Sequence, residues 1–144
     1  VNEPHMPLKA YKNMNAYKLF VLDVGLLGAM SELPAESILE GNDIFVEFKG
    51  ALTEQYVLQQ LISDTPYTPY YYGNEKATFE QDFLIQKAKS IVPIEVKAEQ
   101  NIRSHSLKTY CEKFQPEEAV RFSTLKYKEQ EWMVNIPLYA VCNL

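Results

Sequence analysis

Between residues 44 and 63 the apolar side chains recur at helical spacing, and this stretch constrains the fold more than any other. At about 100° per residue, Gly50, Ala51, Val57, Leu58, Leu61 and Ile62 fall on one arc, with Lys49, Thr53 and Gln60 roughly opposite. A helix of this length with one apolar side needs a second layer to cover it. Glu54 lies near the middle of the apolar arc, where a solvated carboxylate does not belong.

The partner layer is legible downstream as alternation. Tyr70-Tyr71-Tyr72 and Thr78 to Gln86 flank Gly73-Asn74-Glu75-Lys76, which predicts a hairpin. Ile91 to Ala98 predicts a third strand, Ala119 to Ser123 a fourth, and Trp132 to Val141 a fifth, bent at Pro137. Ser104 is placed to cap a helix that runs to about Phe114 and stops before Pro116. Ahead of the long helix, Tyr17 to Asp23 predicts a short strand and Val24 to Met30 a short helix with Asp23 as its N-cap. The expectation is an α/β fold, a mixed central sheet flanked by helices. Residues 1–43 form a lead-in segment and residues 44–144 the domain proper.

A length of 144 residues suits one domain, and 47% hydrophobic with 23% charged residues is a globular balance. No apolar run approaches the roughly 20 residues of a membrane span, and Val1-Asn2-Glu3-Pro4 does not open a signal peptide. Val1 in place of a starting Met reads as a piece cut from a longer protein. Cys111 and Cys142 read as reduced, buried thiols, and the location expected is cytoplasmic. With His5 and His105 the only histidines, a His-rich metal site is excluded. A net charge of −5 argues against gripping nucleic acid over a broad surface, though not against a small local site. No G-x-S-x-G elbow and no G-x-x-x-x-G-K-[ST] loop occurs, which removes a serine hydrolase and an ATPase from consideration within these residues.

Chemistry concentrates at four residues. Strand residues two apart share a face, so Glu95 and Lys97 point the same way, about 7 Å apart. Val92, Ile94, Val96 and Ala98 point to the core. Asp82 shares a face with Glu80 and Leu84, against Phe79, Phe83 and Ile85. If the two strands pair, Asp82 and Glu95 stand side by side, and Glu54 from the helix completes the cluster. Gathered carboxylates need compensation, and one remedy is a divalent cation; oxygen ligands suit Mg²⁺ or Mn²⁺. The bland reading has Glu95 and Lys97 as a solvated pair, Asp82 at a turn and Glu54 snorkelling out.

The ordered set Glu54, Phe79-Glu80-Gln81-Asp82-Phe83-Leu84-Ile85 and Ile94-Glu95-Val96-Lys97 resembles the helix-Glu, Asp and E-x-K motifs of the PD-(D/E)XK nuclease superfamily, with Gln81 where the family's Pro is usual. Within it the chain resembles the uncharacterised C-terminal domain of bacterial and archaeal AAA-type ATPases. The cues are Tyr17 to Leu27, Gly50 to Val57, Ile94 to Ala98 and Arg103 to Leu107. The resemblance implies a restriction-endonuclease-like sheet and an ATPase module preceding this segment in the same polypeptide. It also implies Asp82 and Glu95 as metal ligands with the Val96 carbonyl as a third. Glu54 would act through water, and Lys97 would assist the nucleophile. Two functions stay open: metal-dependent hydrolysis of DNA phosphodiester bonds, and a non-catalytic interaction or regulatory module of the ATPase that keeps the fold.

Three further features are weaker. Tyr67, Tyr70, Tyr71 and Tyr72 could stack bases, though a strand of mixed burial explains them better. Arg103 and Lys108 could touch a phosphate backbone, with Lys113 nearby. Trp132 reads as core or interface.

Overall fold

The computed structural model of the chain describes residues 1–34, 36, 43–73, 79–98 and 104–144. Six described strands form one sheet: β1 (Tyr70–Tyr72), β2 (Gln81–Lys87), β3 (Ser90–Lys97), β4 (Val120–Ser123), β5 (Lys128–Glu129) and β6 (Val134–Pro137). They run in the order β1-β2-β3-β4-β6-β5. β1, β2 and β3 are antiparallel neighbours, β3, β4 and β6 are parallel, and β5 returns antiparallel on β6. The helices are α1 (Val24–Met30), α2 (Asp43–Asp64) and α3 (His105–Phe114). The fold is therefore α/β, a mixed sheet flanked by helices.

Alternation along the strands separates two faces. Phe83, Ile85, Val92, Ile94, Val120 and Phe122 bury against Val57 and Leu61 of α2. On the other face Leu107 of α3 packs on Ala119 and Met133, and Leu84 packs with Tyr72 and Tyr110. Tyr72 is the hub of an aromatic cluster with Phe79, Tyr110 and Phe114.

The long helix stands where the periodicity predicts it, but its apolar arc is only partly covered. Val57 and Leu61 are buried, whereas Gly50, Ala51 and Ile62 are exposed. The strand expected over Tyr17 to Asp23 does not form. Leu19 and Leu22 are 87% and 86% exposed, and the segment is held from the side by Gln55. That buried amide accepts from Val21 N at 3.1 Å and donates to Val21 O at 2.9 Å. α1 does form, with Asp23 Oδ1 accepting from Leu26 N at 2.8 Å, and Gln59 accepts from Val24 N. The lead-in is thus fastened to α2 by two glutamines that replace a sheet neighbour, and Leu8 of the same segment is fully buried.

The last strand is shorter than expected. β6 ends at Pro137, and Leu138–Asn143 continue as 3-10 turns, because proline has no N–H to extend a ladder. Of the cysteines, Cys111 is half-buried and Cys142 is exposed on those turns, so the expectation of two buried thiols is corrected. The hairpin turn expected at 73–76 lies outside the described residues beyond Gly73. Among the described residues no helix is long and apolar enough to cross a membrane.

Candidate functional site

The β2–β3 ladder runs from Lys87↔Ser90 to Phe83↔Ile94 and then gives way to side chains. Gln81 Nε2 donates to Ile94 O at 2.7 Å, and Asp82 Oδ2 accepts from Val96 N at 2.8 Å. A fully buried amide and a half-buried carboxylate at the start of β2 thus satisfy β3 backbone groups where the regular ladder has ended. The notch is the place where the β2–β3 ladder ends and these side chains bridge the strands.

Asp82 is consequently an unusual acid. Burial pushes its carboxyl up from the ordinary 3.8 to about 6. The Val96 N–H pulls the other way, Glu54 pushes up again, Lys18 pulls down, and Glu95 adds a smaller push. Asp82 therefore senses the charge of Glu54 on α2 and, more weakly, of Glu95 on β3. Among the described residues, however, no three His, Cys, Asp or Glu side chains come close enough together to cage a metal ion.

Each glutamate carries a lysine. Lys97 Nζ lies 2.8 Å from Glu95 Oε1, and Lys18 Nζ lies 2.7 Å from Glu54 Oε1. The bland reading of Glu95 and Lys97 as a solvated pair fails, since the Glu95 side chain is only 3% exposed. Its second oxygen, Oε2, is buried with no hydrogen-bond partner among the described residues, and so is Gln81 Oε1. An orphaned buried acceptor costs about 1–3 kcal/mol, more when it is charged. Both residues lie beside the end of the β2–β3 ladder at Phe83 and Ile94.

The parallel ladders extend the polar line. Glu95 pairs with Arg121 of β4, and Arg121 with Asn135 of β6. Residues in register share a face, so Glu95, Arg121 and Asn135 form a row on the α3 side of the sheet. All three are buried. Burial lowers the Arg121 pKa while Glu95 opposes that change. Arg121 Nε donates to Asn135 Oδ1 at 2.9 Å, and Ser123 Oγ donates to the same oxygen at 2.7 Å.

Lys18, Gln81 and Arg121 are the site residues that sequence reasoning passed over. Lys18 and Arg121 had a signal, each being a lone cation inside an apolar run, where a partner is required. Gln81 had none, because its role depends on where the ladder ends. Of the weaker expectations, Arg103 lies outside the described residues. Lys108 is exposed on α3 and 4.0 Å from Glu112 Oε1, an ordinary helix-surface pair. Tyr72 is buried, while Tyr67, Tyr70 and Tyr71 line a groove of about 620 Å³ that also touches Lys18 and Phe83.

The family described as Domain of unknown function (DUF4143) matches residues 49–140, more than half of the chain, and the chain belongs to that family. No curated protein and no solved structure matches the chain.

Proposed function

From its place in that family and the notch between β2 and β3, we propose that the chain is the nuclease-like C-terminal domain of an AAA-type ATPase. In this reading it hydrolyses DNA phosphodiester bonds with Mg²⁺ or Mn²⁺. The observation that carries it is Glu95, a buried carboxylate with one oxygen on Lys97 and the other without a donor, next to an acid as perturbed as Asp82. This donor set fits a small divalent cation, since Mg²⁺ is commonly held by one or two carboxylates with water in the remaining positions. Asp82 and Glu95 would hold the ion, with the Val96 carbonyl as a third ligand. The ion would supply Lewis-acid polarisation of a phosphoryl oxygen. Lys97, released from Glu95, would steady the negative charge that gathers on the phosphate. Glu54 would orient the attacking water through its second oxygen.

Incubating the domain with plasmid and Mn²⁺ tests this directly. The native protein cuts, and Asp82→Ala and Lys97→Ala lose at least about a hundredfold of the rate. Cutting by none of the proteins, or equally by all, removes the enzymatic reading.

A second reading, a non-catalytic module that retains the fold, draws support from the two ion pairs. Lys18 and Lys97 already neutralise Glu54 and Glu95 within the chain, and the net charge of −5 offers little to DNA. Under that reading Glu95→Ala leaves binding to the ATPase module unchanged, and no divalent ion binds tightly.

A further inference from the structure

Beyond Arg121, on the same face of the sheet as Glu95, a second pocket of about 360 Å³ opens between the end of β4, the β5–β6 hairpin and the first turn of α3. Arg121, Lys126 and Lys128 bring three cations to it, and Ser104, Gln130 and Trp132 complete its rim. Among the described residues no carboxylate lines it, in a chain whose acids outnumber its bases. Glu129, the nearest acid in β5, accepts from the Tyr127 hydroxyl at 2.6 Å instead.

The pocket is built rather than a chance of surface lysines. Arg121 is 5% exposed and fixed at two points, by Asn135 and by Nη1 donating to Ser104 Oγ at 3.2 Å. Asn135 Nδ2 in turn donates to the carbonyls of Leu125 and Lys126 at 3.3 and 3.0 Å, which fixes the backbone that carries Lys126. The Ser104 hydroxyl makes no hydrogen bond to the first turn of α3, so those N–H groups carry no side-chain cap. A positioned guanidinium, two exposed ammonium groups and an uncapped helix start all favour one kind of ligand, an anion with several oxygens. Trp132, 38% exposed, adds an aromatic surface beside them.

We infer that this pocket binds a backbone phosphate of a single nucleic-acid strand, with the adjoining base stacked on Trp132. A stacking ring needs an unpaired base, and a space of this size admits a nucleotide unit rather than a duplex. Arg121 pairs with Glu95 across adjacent strands, about 4.8 Å apart, so the pocket lies one strand away from the Glu95 site. The inference rests on the nuclease reading for what becomes of the strand, but binding itself needs neither metal nor cleavage.

Trp132 is the chain's only tryptophan, which makes its fluorescence a reporter of this pocket alone. Titration with oligo-dT of about twelve nucleotides in EDTA gives saturable quenching. The double variant Lys126→Glu, Lys128→Glu weakens it at least about tenfold and flattens the log–log salt slope by about 1.4. Both lysines are exposed, so the variant's circular dichroism and melting match those of the native protein. Absence of quenching overturns the inference, as does a charge-reversed variant that binds like the native protein. Equal quenching by duplex of the same length, or by a mononucleotide, also overturns it. Plasmid cutting reads separately: lost cutting with retained quenching removes only the nuclease reading, and the reverse removes only this one.

Discussion

Replacing Asp82 by Asn should make the protein more stable at neutral pH. In the native chain the Asp82 carboxyl is pushed up to about 6 by burial and by Glu54, against an ordinary 3.8. A raised acid binds its proton more tightly folded than unfolded. Its contribution is therefore fully present below pH 3.8 and is lost as the pH rises through about 6. Above both values the ionised form costs the native state about 3 kcal/mol relative to the neutral one. Asn keeps the shape and can still accept from Val96 N, so Asp82→Asn should recover most of that energy. Urea unfolding with tryptophan fluorescence, run near pH 4 and near pH 8, measures it. The variant and the native protein should unfold together at the acid end. Near pH 8 the variant should be more stable by about 2–3 kcal/mol. A variant less stable than the native protein near pH 8 would refute the reasoning, because Asp82 would then be a structural acceptor at ease when ionised.

Gln55→Ala removes both hydrogen bonds to Val21 and should cost about 2–4 kcal/mol, with hydrogen exchange showing lost protection at the lead-in before the sheet. Asn135→Ala deprives Arg121 Nε and Ser123 Oγ of a common acceptor inside the sheet. A loss of at least about 3 kcal/mol in urea unfolding is expected, and a loss under about 1 kcal/mol would mean that water already serves those donors.

How far the sequence reveals this depends on the range of each interaction. α2 and β3 were legible because their burial follows from local periodicity: Val57 and Leu61 one turn apart, and Val92 and Ile94 two apart. The same logic paired Glu95 with Lys97. It failed at Tyr17 to Asp23, where an apolar run looks like a strand. The deciding contact there, from Gln55, lies 34 residues away and leaves the leucines outside. It also overextended β6, since an apolar run does not say where a proline will end pairing. The row Glu95–Arg121–Asn135 was invisible because parallel register is set by how distant strands slide, which no local pattern encodes. The Lys18–Glu54 pair spans 36 residues and was hidden for the same reason.

The central claim is that Asp82 and Glu95 together hold a divalent ion, and calorimetry with Mn²⁺ tests it most directly. One saturable site is predicted near pH 7.5, with affinity falling about tenfold near pH 5 as Asp82 takes up its proton, and no binding by Glu95→Gln. No heat of binding near pH 7.5, or undiminished binding by Glu95→Gln, would contradict the account.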